Sequence, residues 1–133
     1  MKKLLLYSMM ALAIATLYSC EKPEGRGGKA TIRGKVYVIN YNGSFTQIND
    51  EYYAQDESVY IVYGDDATYG DRTRTNYDGI FEFDYLREGN YKVYVYSKDK
   101  DGNSPSGELA MITEVEIIEK KQVIELEDIV IFR

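Results

Sequence analysis

Tyrosine is the residue type that gives this sequence most of its capacity for specific chemistry. The 133 residues include 14 tyrosines and no tryptophan. A tyrosine offers a flat ring face for stacking and a hydroxyl for hydrogen bonding, which suits sugars and protein surfaces alike. Tyrosine also fits the face of a β-sheet, so each candidate has a purely structural alternative. The ligand-binding candidates are Tyr41, Tyr52, Tyr53, Tyr94 and Tyr96.

Two sequence patterns select these five residues. Tyr94 and Tyr96 alternate with Val93 and Val95, so they face away from the predicted core. The other three lie in residues 40–57, a polar segment with aromatic residues among the polar ones. Long segments of this kind in compact domains are often functional. Alternatively, their rings fold back and cap the domain.

The composition removes most catalytic chemistry. The chain contains no histidine, so a Ser-His-Asp triad cannot form. Its single cysteine is Cys20, near the N-terminus, which leaves the body of the chain without a cysteine nucleophile or a disulfide. A carboxylate pair could hydrolyse glycosides. The acidic residues, however, lie mainly on the predicted outer faces of strands and in turns, where exposure to solvent explains them. The sequence therefore predicts a protein that is not an enzyme.

One loop has the spacing of a weak calcium site. Asp99, Asp101 and Asn103 place oxygen ligands at positions one, three and five. An EF-hand would continue with Gly and Glu at positions where this chain has Ser104 and Ala110. A looser calcium site remains open beside the alternative that these residues simply build turns. No other cofactor is predicted.

The N-terminus has the features of an export signal. Lys2 and Lys3 precede the apolar run Leu4–Leu17, which is too short for a confident membrane span and typical of a signal peptide. The Leu-Tyr-Ser-Cys sequence that ends at Cys20 resembles a bacterial lipoprotein box of the Bacteroidota type. That resemblance implies a lipid on Cys20 and attachment to the outer membrane, on its periplasmic or surface face. The alternative is an ordinary secreted protein.

These features divide the chain into a signal peptide at 1–19, a flexible tether at 20–29 and a folded domain at 30–133. The tether is predicted from its polar, glycine-rich composition. Removing residues 1–19, which hold two lysines and no acid, takes the net charge from −6 to −8. An acidic domain disfavours nucleic acid as a partner and also electrostatic adhesion to anionic lipid. The lipid on Cys20 would then be the whole membrane anchor.

Alternating apolar residues, and a near-continuous apolar run at 58–63, predict strands throughout the domain. The central stretch 73–96 is predicted to form an antiparallel hairpin, because Asp78-Gly79 and Glu88-Gly89-Asn90 are turn signals. A second hairpin turn is predicted at 119–122, and a β-bulge at 127–128, where the apolar phase slips. The predicted strands cover 30–40, 58–63, 67–76, 109–118 and 123–132, in addition to the central hairpin. The predicted inner face of that hairpin is Phe81, Phe83, Tyr91, Val93 and Val95.

The central stretch resembles the carboxypeptidase regulatory-like domain family. The pattern Thr-x-x-Asp-Gly-x-Phe-x-Phe is followed by Leu-x-x-Gly-x-Tyr-x-Val. The matching positions are Thr75, Asp78, Gly79, Phe81 and Phe83, then Leu86, Gly89, Tyr91 and Val93. The resemblance implies an all-β, transthyretin-like or immunoglobulin-like sandwich of about seven antiparallel strands. It also implies a non-catalytic accessory or interaction module.

The leading functional expectation is a non-enzymatic, lipid-anchored interaction module of the cell envelope. One alternative is a carbohydrate-binding module that uses exposed tyrosines. The other is a structural subunit of a surface assembly, joined by strand addition at a sheet edge. The expected partners are therefore the membrane and an envelope protein or a glycan.

Overall fold

The computed structural model describes residues 22–133. The predicted signal peptide, Cys20 and the start of the predicted tether lie outside the described residues. Residues 22–133 form nine strands and no helix, so none of their segments is a membrane-spanning helix. The strands are Arg26–Tyr41 (β1), Ile48–Tyr53 (β2), Ser58–Tyr63 (β3), Asp71–Arg74 (β4), Ile80–Leu86 (β5), Gly89–Lys98 (β6), Glu108–Ile117 (β7), Val123–Glu125 (β8) and Ile129–Phe132 (β9).

The first sheet is organised around β1. Its 16 residues extend for roughly 50 Å, long enough to take two partners in succession on each edge. β5 and then β2 pair antiparallel with one edge, while β8 and then β9 run parallel to the other. The change of partner occurs at Val36. Its N–H donates to the Gly79 carbonyl at 3.0 Å, and its carbonyl accepts the Ala54 N–H at 2.9 Å.

The second sheet has the strand order β4-β3-β6-β7 and is antiparallel throughout. It packs face to face with the first sheet, and a core of alternating residues from both sheets fills the space between them. Gly34 lies on this inner face, where a Cβ would come within 2.9 Å of the Phe81 ring. The predicted all-β sandwich is therefore confirmed. The core residues are Ala30, Ile32, Val36, Val38, Ala54, Val59, Ile61, Phe81, Phe83, Leu86, Tyr91, Val93, Val95, Ile117, Ile129 and Ile131.

The predicted central hairpin is wrong. β5 pairs with β1 in the first sheet, whereas β6 pairs with β3 and β7 in the second. All five residues of its predicted inner face are nevertheless buried. The chain crosses between the sheets after Leu86, and the Tyr91 hydroxyl holds this corner. It donates to the Arg87 carbonyl at 2.7 Å and accepts the Gly25 N–H at 2.9 Å.

The C-terminal segment also differs from the prediction. The turn at 119–122 crosses between sheets, because β7 pairs with β6 and β8 pairs with β1. The predicted hairpin there is wrong. A break at 126–128, where the bulge was expected, divides the last strand into β8 and β9. These two strands are parallel to β1, so the described residues form nine strands rather than seven and are not all antiparallel.

Two further segments contain strand residues outside the predicted strands. β1 begins at Arg26, four residues before the predicted start of the domain. Within 40–57, residues 42–47 form a loop and β2 then returns along β1. The Asn42 side-chain oxygen accepts the N–H groups of Thr46 at 2.9 Å and Gln47 at 3.2 Å, which stabilises that loop.

Candidate functional site

Four tyrosines form a contiguous aromatic surface, the tyrosine cluster, on the outer face of the second sheet. They are Tyr60, Tyr69, Tyr94 and Tyr96. Tyr60 on β3 is directly opposite Tyr94 on β6, and Tyr96 lies two residues further along β6, on the same face. Tyr69 reaches the cluster from the loop between β3 and β4. The period of two that buries Val93 and Val95 turns Tyr94 and Tyr96 outward.

The rings pack around Tyr60. Tyr94 stacks on it with a centroid distance of 5.0 Å and an interplanar angle of 11°. Tyr69 meets it edge to face at 4.9 Å, and Tyr96 does so at 5.6 Å. Tyr96 also contacts Tyr94 at 5.5 Å. Pairs of this kind contribute about 0.5–1.5 kcal/mol each beyond buried area, so the cluster holds its own shape.

The two outer rings are the accessible ones. Tyr69 is 49% exposed and Tyr96 is 42% exposed, while Tyr60 and Tyr94 are half-buried between them. Ile112, directly opposite Tyr94 on β7, is 58% exposed and extends the apolar area. A ligand that lies on this sheet would therefore stack on Tyr69 and Tyr96, with the Tyr60–Tyr94 pair as the support beneath them.

The Tyr94 hydroxyl stays protonated across the physiological range. Burial raises the pKa of Tyr94 to about 12, and the neighbouring hydroxyls of Tyr96, Tyr60 and Tyr69 add to the effect, because a second phenolate beside the first would be repelled. Tyr94 therefore presents a neutral hydroxyl that can donate a hydrogen bond. A neutral surface with both donors and acceptors suits ligands that carry many hydroxyl groups.

Charged side chains border the cluster. Arg72 on β4 is directly opposite Tyr60 and is exposed. Lys92 and Glu114 are directly opposite each other on β6 and β7, on the same outer face. Arg72 adds a planar fork of hydrogen-bond donors at the edge of the aromatic surface, where it could hold paired hydroxyls or a carboxylate.

The structure places Tyr53 on the other side of the sandwich. Its ring packs edge to face with Tyr37 at 5.1 Å on the outer face of the first sheet, and Lys35 Nζ lies 5.0 Å from its centroid. The Tyr53 hydroxyl donates to Asp128 Oδ2 at 2.8 Å. That hydrogen bond, with the Asp128 charge, raises the pKa of Tyr53. These contacts tie β2 to the segment before β9.

Tyr41 and Tyr52 lie apart from the tyrosine cluster. Tyr41, at the end of β1, packs against Phe45 and Phe132, each at 5.7 Å, and Lys100 Nζ lies 4.6 Å from its ring centroid. Tyr52 lies on β2 opposite Val38 and is 43% exposed. The five predicted candidates therefore occupy at least two surfaces, and only Tyr94 and Tyr96 come together.

Sequence reasoning missed Tyr60 and Tyr69. Tyr60 lies in the run Ser58–Tyr63, which is apolar enough to suggest a strand covered on both faces. Its parity with Ser58 and Val62 was the signal that it could face outward. Tyr69 lies in a loop, and no periodicity indicates where a loop residue points.

The candidate calcium loop is satisfied by its own backbone. Asp99 is buried, and one carboxylate oxygen accepts the Asp101 N–H at 3.1 Å. The other carboxylate oxygen accepts the Ser104 N–H. Both oxygens of Asp99 are thus used in shaping the turn. Across residues 22–133, no group of three or more acidic, histidine or cysteine side chains is arranged to hold a metal ion.

Comparison with solved structures finds a likeness in fold. No protein-family profile and no curated protein matches the chain. A crystal structure from Pseudomonas aeruginosa, described as a candidate carbohydrate-binding protein, is similar in fold with 14% sequence identity and a TM-score of 0.49. The similarity covers 82% of this chain and 91% of that one.

Proposed function

We propose that this chain is a non-enzymatic binding module of the cell envelope that holds a glycan on the tyrosine cluster. The single observation that carries the proposal is the pair of exposed rings, Tyr69 and Tyr96, supported by two further tyrosines on the outer face of the second sheet. If the four tyrosines were buried in the core, their rings would contribute only to folding. Exposed rings at the surface leave ring faces free for a ligand.

A sugar fits this surface better than a small apolar molecule does. The apolar C–H face of a sugar ring packs on an aromatic face, while its hydroxyls need the hydrogen-bonding groups that phenols and Arg72 supply. Small apolar ligands prefer enclosed pockets that bury most of their surface. An open platform that runs across two strands instead suits an extended chain of sugar units.

The remaining parts of the proposal come from the sequence. A lipid on Cys20 would anchor the module to the outer membrane, since two or more acyl chains hold a protein stably. The resemblance of Thr75–Val93 to carboxypeptidase regulatory-like domains supports an accessory role without catalysis. Hydrolysis of any bound glycan by the purified chain would overturn the non-enzymatic part.

The test is a glycan array followed by calorimetry on the mature chain carrying Cys20→Ala, which removes the lipid. We expect binding of an oligosaccharide, weakened at least about tenfold, or about 1.4 kcal/mol, in the double variant Tyr69→Ala/Tyr96→Ala. The control is Tyr77→Ala, because Tyr77 is 86% exposed and lies in the turn before β5, outside the cluster. Absence of any glycan ligand, or equal affinity in all three proteins, would overturn the proposal.

A second candidate, the assembly subunit, has one observation in its favour. Among the described residues, β7 pairs only with β6, so its other edge is open along ten residues. Its outward side chains include Glu108, Glu114 and Glu116, and a row of like charges opposes pairing with a second copy. A partner strand would therefore be basic. A purified chain that is monomeric and captures no envelope protein would remove this candidate.

A further inference from the structure

Residues 23–25, close to the start of the described residues, are hydrogen-bonded to the rest of the domain. The Pro23 carbonyl accepts Arg87 Nη1 at 3.1 Å. The Gly25 N–H donates to the Tyr91 hydroxyl at 2.9 Å, and the Gly25 carbonyl accepts the Arg87 N–H at 2.9 Å. These bonds fix residues 23–25 against the corner between β5 and β6. Most of the segment predicted as a flexible tether is therefore part of the domain.

This attachment limits how far the domain can stand from Cys20. Two residues, Glu21 and Lys22, lie between Cys20 and Pro23, and an extended chain spans at most about 3.3–3.6 Å for each of the three steps. Pro23 thus lies within roughly 11 Å of Cys20 Cα, whereas a free tether over 20–29 would have allowed roughly 35 Å. If Cys20 carries a lipid in the bilayer, this end of the sandwich, the anchor end, cannot leave the membrane surface.

The anchor end exposes residues suited to a lipid surface. Ile118 is 64% exposed and Val123 is 55% exposed, and they border the turn that contains Lys120 and Lys121. Tyr85, at the same end, is 70% exposed, with a φ of 57° that non-glycine residues rarely adopt. Strained residues persist where the surroundings impose them, often at functional surfaces.

The charge at this end differs from that of the whole chain. A groove of about 1100 Å³ runs beside Pro23, and its lining includes five cationic and three anionic side chains, although the chain has a net charge of −6. The cations are Lys22, Lys29, Arg87, Lys120 and Lys121. The turn after β3 carries Asp65 and Asp66 at the same end, at the β4 side of the second sheet rather than the β7 side.

We infer that the anchor end docks on the bilayer that holds the lipid of Cys20, with the turn between β7 and β8 as its point of contact. The inference rests on the lipid anchor of the proposed function and not on glycan binding. Ile118, Val123 and the Tyr85 ring enter the interfacial region, where aromatic and apolar side chains are stable. Lys120 and Lys121 bind lipid phosphates.

Docking in this orientation also sets the distance of the tyrosine cluster from the membrane surface. β6 starts at Gly89, at the anchor end, and Tyr96 is seven residues further along. At about 3.3 Å per residue, Tyr94 stands roughly 17 Å and Tyr96 roughly 23 Å from that end. The binding face is thus held clear of the lipid headgroups and directed sideways.

The absence of tryptophan from the chain makes a direct test possible. The lipidated mature protein, which begins at Cys20, is reconstituted in vesicles of phosphatidylethanolamine and phosphatidylglycerol with brominated acyl chains. One tryptophan is introduced by Ile118→Trp or Tyr85→Trp. The control is Tyr77→Trp, in the turn beside Val36, ten residues along β1 from Arg26 and roughly 33 Å away. Thermal unfolding checks that each variant is folded.

We expect the fluorescence of Ile118→Trp and Tyr85→Trp to fall about twofold and shift to the blue, as it does for interfacial indoles. The Tyr77→Trp fluorescence should not change. Equal quenching at all three positions, or none at any, in protein whose mass shows the acyl chains would overturn the docking and leave the anchor standing. A wild-type mass without acyl chains would overturn both. Glycan binding, measured on the unlipidated chain, is unaffected by either result.

Discussion

The Tyr91 hydroxyl has a structural role that its position in the core pattern does not reveal. It joins three parts of the chain: β6, the corner at Arg87 and the segment at Gly25. Tyr91→Phe keeps the buried ring and removes both hydrogen bonds. Leaving the Gly25 N–H and the Arg87 carbonyl without this partner should lower the free energy of unfolding by about 1–3 kcal/mol. Urea denaturation measures the change.

The control for that substitution is Tyr96→Phe. Tyr96 is exposed, so water can hydrogen-bond to any group that loses the Tyr96 hydroxyl as its partner. We therefore expect the free energy of unfolding to change by no more than about 0.5 kcal/mol. A loss for Tyr91→Phe as small as that of Tyr96→Phe would contradict the role given to the hydroxyl.

Tyr94 makes the stability of the domain sensitive to alkaline pH. Its pKa is raised to about 12 in the folded chain, whereas an unfolded tyrosine titrates near 10. Below about pH 10 both states hold the proton, and the stabilisation is fully present. Between about pH 10 and 12 the unfolded state loses its proton first, so the free energy of unfolding falls as the pH rises.

Tyr94→Phe should therefore flatten this pH dependence. The decline should not vanish, because burial is the main cause of the raised pKa values of Tyr63 and Tyr91, which act in the same direction. Urea denaturation at a series of pH values between about 9 and 12 measures the slope in both proteins. Identical slopes for wild type and Tyr94→Phe would show that Tyr94 does not titrate as described.

At the scale of elements, the close approach of β1 and β5 depends on Gly28. A Cβ at this position would lie 2.0 Å from the Leu86 carbonyl oxygen, a backbone atom that can move only together with its strand. Gly28→Ala should therefore push the two strands apart next to the corner. We expect it to destabilise the fold by about 1–3 kcal/mol, the usual cost of overpacking.

Gly43→Ala is the matched control, because no atom lies within 4 Å of a Cβ placed there. It should change the free energy of unfolding by less than about 0.5 kcal/mol. Equal stability of the Gly28→Ala and Gly43→Ala proteins in urea would show that the close approach has no energetic consequence.

The elements themselves also show what sequence patterning can predict. A near-continuous apolar run identified the strand Ser58–Tyr63 correctly, and alternation did so for the inward residues Phe81, Phe83 and Val93. Such patterns could not show which strands pair with each other, because a hairpin and a crossing between sheets bury the same alternate residues. The contacts that decide between them are remote in sequence: the Tyr91 hydroxyl bonds to Gly25, 66 residues away.

The candidate site was predictable to the same degree. Tyr94 and Tyr96 followed from their phase relative to Val93, which is a local property. Their association with Tyr60 and Tyr69 required knowing that β3 lies beside β6, which is a property of the sheet. Tyr53, which was selected for its place in the polar segment 40–57, lies on the outer face of the opposite sheet.

At the scale of the whole molecule, the fold is closed by its last strands. β8 and β9 pair with β1, the middle strand of the first sheet, from about ninety residues away in sequence. Closing a loop of this length is slow. Ile129 and Ile131 complete the core. Folding should therefore be cooperative, with no stable state that lacks this segment.

Truncation of Val123–Arg133 tests this dependence on the last strands. Ile129 and Ile131 are 5% and 0% exposed, and losing two buried isoleucines costs about 2–5 kcal/mol each. The backbone bonds to β1 are lost as well, against a total stability of about 5–15 kcal/mol for a small domain. We expect the truncated chain to be unfolded, with no near-UV circular dichroism from its tyrosines. As a control, Gly-Ser-Gly-Ser inserted after Gly102 should be tolerated, because nothing lies within 4 Å of a Cβ there. A truncated chain that still unfolds cooperatively in urea would show that β1 and the second sheet suffice for the fold.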